Sequence, residues 1–225
     1  MGDVFSDMRI DAVIFDMDGT LIDTEKLNVR FWKEAGRYHG YDITDNDVLF
    51  IRSLDGKLVR KYFGDKFSGF DFEAVREKRR ELMNAYVDEN GVELKPGVKE
   101  ILAFLRSEGI KTAVATASRK DHAQRYLKMT GILDYFTDVV YASSVENGKP
   151  APDVYLLASG SIGEDPKNCI AVEDSPNGVR SAFSAGCRTV FIPDLTGADE
   201  ELRSKSVVFD DMFGLCDAIR NHLSD

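Results

Sequence analysis

The sequence predicts an α/β protein: a parallel sheet with helices on both faces, interrupted early by an all-helical insertion. Three observations carry that expectation. First, Ala12-Val13-Ile14-Phe15 is an unbroken apolar run, the pattern of a short strand buried on both faces. Second, the chain beyond residue 98 alternates amphipathic stretches with short apolar, strand-like runs. That alternation implies right-handed crossovers between parallel strands. Third, residues 24–94 show helical periodicity and no convincing strand. The expected division is a core formed by residues 1–23 and 95–225, with an inserted helical domain at residues 24–94.

After the opening run, Gly19 lets the backbone turn sharply. Leu27, Phe31, Ala35 and Tyr38 repeat at helical spacing, so a helix is expected from Thr24 to about Gly40, capped by Asp23 or Thr24. Trp32, one step off that stripe, is expected in the core or against another helix of the insertion. Helices follow over 45–53, 56–63 and 72–90. In the last of these, Arg76, Lys78, Arg79 and Arg80 alternate with acids, and a solvated helix face is the expectation. Beyond Lys95-Pro96-Gly97, the residues Val98, Ile101, Leu102 and Leu105 mark a helix that stops at Gly109. Residues 112–116 read as a strand. Ser118-Arg119-Lys120-Asp121 resembles a capping box opening a helix that Gly131 closes, and 137–141 reads as a strand. A helix over 152–161 and a strand at 170–172 come next. Ser175-Pro176 supplies an N-cap and a first-turn proline for another helix, ended by Gly186. Strands at 189–192 and 207–209 and a final helix complete the alternation.

Composition removes several function classes. The 225 residues are 43% hydrophobic and 30% charged, enough for a sizeable core in a soluble globular chain. No stretch approaches the roughly 18 apolar residues of a membrane span. A formal net charge of −10 weighs against non-specific binding to nucleic acid or to an anionic membrane. Cys169, Cys187 and Cys216 are odd in number and widely spaced, as expected of small buried hydrophobes in a reducing cytoplasm. His39, His122 and His222 share no metal-ligand spacing, which argues against zinc. The acidic N-terminus lacks the apolar region of a secretory signal, and Met1-Gly2 with Ser6 fits the N-myristoylation pattern only loosely.

In an open parallel sheet, ligands bind beyond the carboxyl ends of the strands. The residues just after each expected strand are therefore the candidates: Asp16 and Asp18; Thr116, Ala117 and Ser118; the Gly148-Lys149-Pro150 segment; and Glu173 with Asp174. Each piece has a bland reading as a turn, a β-former, a loop lysine or an acidic helix cap. Together they are the set that phosphoryl transfer needs. A carboxylate can act as nucleophile and split one hard step into two. A hard cation such as Mg2+ takes oxygen ligands and lets an anionic carboxylate approach an anionic phosphate. A lysine, a hydroxyl and backbone N–H groups can hold the phosphate oxygens, and a second acid can shuttle the proton.

With these motifs in place, the sequence resembles the haloacid dehalogenase (HAD) superfamily, in particular the phosphatases and phosphomutases related to β-phosphoglucomutase. Asp16-Met17-Asp18-Gly19-Thr20-Leu21 matches the first family motif and Ala115-Thr116-Ala117-Ser118 the second. Lys149-Pro150-Ala151-Pro152-Asp153 matches the third and Glu173-Asp174-Ser175 the fourth. The resemblance implies a Rossmann-like core with a helical cap that closes over the site, hinged near Asp23-Thr24 and near residues 93–95. It further implies Asp16 as the phosphorylated nucleophile, and Asp18 as the general acid/base that also offers its backbone carbonyl to Mg2+. Thr116, Ala117 and Lys149 would bind phosphate, and Asp174 would ligate the metal with Glu173 in or near its shell. Asn28, Arg52, Ser118 and Arg119 are the expected substrate contacts. Asn28 stands where the mutases place a cap histidine. Their cap arginine falls at Asp55, with Arg52 and Arg60 nearby. Those departures favour a phosphatase over a phosphomutase. A phospho-aspartate receiver switch fits poorly, because it has no cap and no acid two residues after the phosphorylated one. The expectation is thus a cytoplasmic, Mg2+-dependent phosphatase of a small phosphorylated metabolite, monomeric and without nucleic-acid or membrane partners.

Overall fold

The computed structural model describes residues 3–224, so the Met1-Gly2 of the loose myristoylation match lies outside the described residues. Six parallel strands form the sheet: β1 (Ala12–Phe15), β2 (Lys111–Thr116), β3 (Asp138–Tyr141), β4 (Cys169–Glu173), β5 (Arg188–Phe191) and β6 (Val207–Val208). Their order is β3-β2-β1-β4-β5-β6, with every neighbouring pair parallel. The order reverses at β1, which places the opening strand in the middle, where the unbroken apolar run predicts it.

Alternation along the strands feeds two cores. Val13, Phe15, Val114, Ile170 and Val172 face one way. They meet α5 (Val98–Ser107), α6 (Lys120–Met129) and α10 (Met212–Ser224) through Leu105, Tyr126 and Leu215. The opposite face carries Ala12, Ile14, Ala113, Ala115 and Ala171. These small residues let α7 (Asp153–Ser161) and α8 (Pro176–Ser184) approach closely through Tyr155, Ala158 and Ala182.

Between β1 and α5 the described chain is helical: α1 (Glu25–Tyr38), α2 (Asp45–Ile51), α3 (Gly56–Lys66) and α4 (Phe72–Asn90). Trp32, Ile43, Val48, Val59, Phe63 and Val75 give these helices an apolar cluster of their own. Trp32 lies 5.4 Å from the Phe63 ring and 6.5 Å from Phe72, between helices as expected. Tyr38 departs from its expected stripe: it is exposed, and the Lys78 ammonium sits over its ring. The two chain crossings run side by side, with Asp23 N donating to Glu93 O at 2.9 Å and Lys95 N to Leu21 O at 3.0 Å.

Two expected caps do not form. Thr24 precedes α1, and Arg119, not Ser118, precedes α6; neither helix start has a side-chain cap bond. Both hydroxyls instead donate to the Asp18 carboxylate, a charge-assisted hydrogen bond. Ser175 does cap α8, accepting from Gly178 N at 3.1 Å, with Pro176 in the first turn. The helix α9 (Glu200–Lys205) is absent from the sequence reading because six residues cannot display a period; Asp199 caps it, accepting from Leu202 N at 2.9 Å.

Candidate active site

The carboxyl edge of the sheet gathers the strand-end residues. β1 leads into Asp16, β2 ends at Thr116 and β4 at Glu173, followed by Asp174; Lys149 comes from the segment before α7. All five are buried. They lie beside the reversal of strand order, where a parallel sheet leaves a crevice. Lys149 Nζ donates to Asp16 Oδ1 at 2.5 Å and to Glu173 Oε1 at 2.6 Å. The Tyr155 hydroxyl donates to that same Glu173 oxygen at 2.7 Å. Burial pulls the Lys149 ammonium down, but the two carboxylates outweigh it and raise its pKa above the ordinary lysine value. Burial pushes Asp16 well above the usual carboxylate range, and Lys149 offsets this only in part while Glu173 and Asp174 add repulsion. Burial likewise raises Asp174, against the attraction of Arg52.

Part of the acceptor capacity of this acidic cluster is unused: among the described residues, Asp16 Oδ2 and Asp174 Oδ1 are buried and have no hydrogen-bond partner. Ligand oxygens of Asp16, Glu173 and Asp174 all lie within 4.8 Å of one another. Hard oxygen donors with orphaned lone pairs suit a hard divalent cation, so the cluster can hold a metal ion. Two glycines keep it compact. A Cβ on Gly19, whose φ is +86°, would stand 2.2 Å from Asp174 Oδ2, and one on Gly178 would stand 1.9 Å from Glu173 Cδ.

Asp18 faces the cleft instead. Its Oδ1 accepts from the Thr24 hydroxyl at 2.7 Å and its Oδ2 from the Ser118 hydroxyl at 2.7 Å. Thr116 Oγ1 accepts from Ser118 N at 2.9 Å, which fixes the turn through Ala117 at the cleft floor. Arg119 stands half-exposed at the rim, 3.3 Å from Asp121.

The roof of the cleft comes from the helices between β1 and β2. Arg52 is not an open substrate contact: it is buried, pairs with Asp174, and its Nε lies 3.1 Å from Glu25 Oε2. Burial pushes the Glu25 carboxyl up to about 7 against the pull of Arg52. Asn28 lines the cleft, its Nδ2 donating to Glu25 Oε1 at 3.2 Å and its Oδ1 accepting from Arg79 at 2.7 Å. The basic run of α4 is a correction to the expected solvated face, because Arg76, Arg79 and Arg80 line this same cleft. The sequence did contain their signal. Phe72, Arg76, Arg79 and Met83 follow one another at spacings of four, three and four, so the arginines continue a buried stripe.

A parallel sheet whose central strand runs into a buried acid paired with lysine, within a buried acidic cluster and beneath a helical roof, defines a class: α/β enzymes that handle phosphoryl groups. The chain belongs to the haloacid dehalogenase-like hydrolases, whose family model matches residues 10–186. It is 32% identical over 187 residues to a phosphorylated carbohydrates phosphatase of Thermotoga maritima, covering 81% of this chain and 84% of that one. It is 33% identical over 186 residues to hexitol phosphatase A of Escherichia coli, covering 82% and 84%. A β-phosphoglucomutase of Clostridium difficile shares the fold at a TM-score of 0.78 and 24% identity, over 96% of this chain and 100% of that one. The chain is accordingly an enzyme of the family's phosphoric monoester hydrolase type.

Proposed function

We propose that the protein is a Mg2+-dependent phosphatase of a small phosphorylated metabolite of the sugar-phosphate class, working through an aspartyl-phosphate on Asp16. The observation that carries this reading is the state of Asp16. One of its oxygens is held by Lys149 and the other, among the described residues, is buried without a partner in the cluster with Glu173 and Asp174. The relatives named for phosphorylated carbohydrates and hexitols support the substrate class.

In this reading Asp16, Asp174 and the Asp18 backbone carbonyl would hold Mg2+, with Glu173 next to them and bonded to Lys149. When bound, the ion neutralises charge on the carboxylate and on the phosphoryl oxygens. Lys149, Thr116 and the Ala117 backbone orient the phosphoryl group so that the Asp16 carboxylate stands in line with the departing oxygen. Asp16 attacks phosphorus and the phosphorus–oxygen bond to the substrate breaks. Asp18, oriented by Thr24 and Ser118, gives its proton to the leaving oxygen. Asp18 then takes a proton from water, which attacks the phosphorus of the aspartyl-phosphate and releases phosphate, restoring both acids. Residues 24–94 act as a cap that closes over this chemistry on hinges at Asp23-Thr24 and residues 93–95, excluding bulk water. The three cysteines, all free and buried, suit the cytoplasm, and a monomer suffices for this mechanism.

The test is phosphate release from p-nitrophenyl phosphate and from a panel of phosphometabolites, with Mg2+ and with chelator. Mg2+-dependent release from sugar or hexitol phosphates is expected. Release that persists without a divalent cation would overturn the metal assignment. Conversion of β-glucose 1-phosphate to glucose 6-phosphate, outpacing hydrolysis when a trace of bisphosphate is added, would reverse the choice of phosphatase over phosphomutase.

A further inference from the structure

We propose that His122 on α6 is a specificity-determining residue, one that hydrogen-bonds a hydroxyl of the leaving group close to the bond that breaks. The preferred substrates are then polyol or sugar phosphates with a free hydroxyl on the carbon next to the ester carbon. This inference rests on the phosphatase reading above and names the chemistry that its leaving group carries.

His122 is a polar group that the proposed reaction does not use. It stands in the first turn of α6, half-buried, and lines the same cleft as Asp18, Thr116 and Ser118. Its ring packs on the buried Tyr126 ring with the centroids 4.0 Å apart, a contact that fixes the imidazole without engaging its nitrogens. Among the described residues, nothing hydrogen-bonds those nitrogens, and the charges around the ring act on it through space. Several neighbours are already committed. Thr24 and Ser118 donate to the two Asp18 oxygens, Thr116 accepts from Ser118 N, and Asn28 spans Glu25 and Arg79. His122 is left open to the cleft.

The form of the ring says what it meets. Burial, helped by Arg79 and Arg125, lowers the His122 pKa against the pull of the Asp18 and Asp121 carboxylates. A neutral imidazole presents one N–H donor and one lone pair. An alcohol hydroxyl both donates and accepts, so the two are matched; a phosphate or carboxylate only accepts, and here it would face the Asp18 carboxylate. Position along the substrate follows from the same acid. Asp18 is the charge that acts on His122 most strongly, and in the proposed reaction Asp18 serves the leaving oxygen. The imidazole thus stands beside the first carbons of the leaving group, not its far end. A site that hydrogen-bonds a hydroxyl rejects the analogue lacking it, because its own polar group is then left unpaired.

Mg2+-loaded full-length protein tests this on sorbitol 6-phosphate and two analogues. The 5-deoxy analogue lacks the hydroxyl next to the ester carbon, and the 1-deoxy analogue lacks only the far one. Wild type should show kcat/KM about tenfold or more higher for the parent than for the 5-deoxy analogue, with the 1-deoxy analogue within about twofold of the parent. In His122→Leu the ratio of parent to 5-deoxy should fall toward one, mainly through a raised KM for the parent. His122→Asn, which restores a neutral donor and acceptor, should recover a severalfold ratio. Should His122→Leu fail to fold, His122→Phe carries the test, since it keeps a flat ring against Tyr126 without nitrogens. A packing role alone would lower kcat/KM for all three substrates alike and leave the ratio at its wild-type value, which would overturn the proposal. Equal turnover of parent and 5-deoxy analogue by wild type, or a loss that falls on the 1-deoxy analogue instead, also overturns it. So does turnover of p-nitrophenyl phosphate with none of the three hexitol phosphates; each of these results leaves the phosphatase reading intact. No turnover of p-nitrophenyl phosphate or of any hexitol phosphate would overturn the phosphatase reading itself.

Discussion

The two sides of the cleft are built on opposite electrostatic plans. On the sheet side, Lys149 is clasped by Asp16 and Glu173, Tyr155 braces Glu173, and each group is fixed at or beside a strand end. On the helical side, Arg76 and Arg79 lie on aromatic rings and, among the described residues, pair with no carboxylate. A clasped site is preorganised and works on any phosphate monoester it is given, because its dipoles need not rearrange during the reaction. An unpaired wall discriminates, because its free energy depends on what the substrate brings. In the proposed reading, the sheet carries the chemistry and the helices meet the rest of the substrate.

Breaking the sheet side should therefore remove activity toward every substrate alike. Asp16→Asn should lower kcat on p-nitrophenyl phosphate by at least about a thousandfold, with the circular dichroism spectrum of the wild type. Asp18→Asn should cost about a hundredfold to ten-thousandfold, the loss being largest for poor leaving groups, which a comparison of p-nitrophenyl and alkyl phosphates would read out. If Asp18→Asn slowed both leaving groups equally, proton donation would not be its role. A steric perturbation comes next in size. Gly178→Ala places a methyl group 1.9 Å from Glu173 Cδ, and Glu173 is fully buried. The misfit should lower stability by about 1–3 kcal/mol, seen as a fall in Tm, and should weaken metal-dependent activity with it.

The smallest effect belongs to the helical side, away from the cleft. Asp47 caps α2 through Thr44, accepts from Tyr62 at 2.5 Å and pairs with Lys66. Burial pushes its carboxyl up, but these hydrogen bonds outweigh burial and hold it well below the usual carboxylate range. A depressed folded-state pKa means that the stabilisation is complete above the unfolded value of about 3.9 and is lost as pH falls below it. Asp47→Asn should thus cost about 1 kcal/mol at neutral pH. Its Tm deficit should shrink as the pH is lowered from about 4 toward 2. A deficit independent of pH would assign Asp47 a packing role alone.

The same contrast explains what the sequence made legible. Asp16, Asp18, Thr116, Lys149, Glu173 and Asp174 could be found because strand ends in a parallel sheet converge on one edge, so position along the chain implies position in space. A helix gives no such guarantee. The apolar stripe of α4 shows which face is buried but not that a cleft lies along it, and Arg76 and Arg79 pass for solvated charges unless their phase with Phe72 and Met83 is read. Thr24 and Ser118 were legible as capping types, yet their hydroxyls meet Asp18, six and one hundred residues away in the chain. Only the folded sheet brings those groups together.

The most direct test of the sheet's assigned chemistry is acid quenching of the Mg2+-loaded enzyme during turnover of a good substrate, followed by peptide mapping. The account predicts an acyl-phosphate on the peptide containing Asp16, absent from Asp16→Asn and accumulating in Asp18→Asn. Phosphate found on another residue, or rapid turnover by Asp16→Asn, would contradict it.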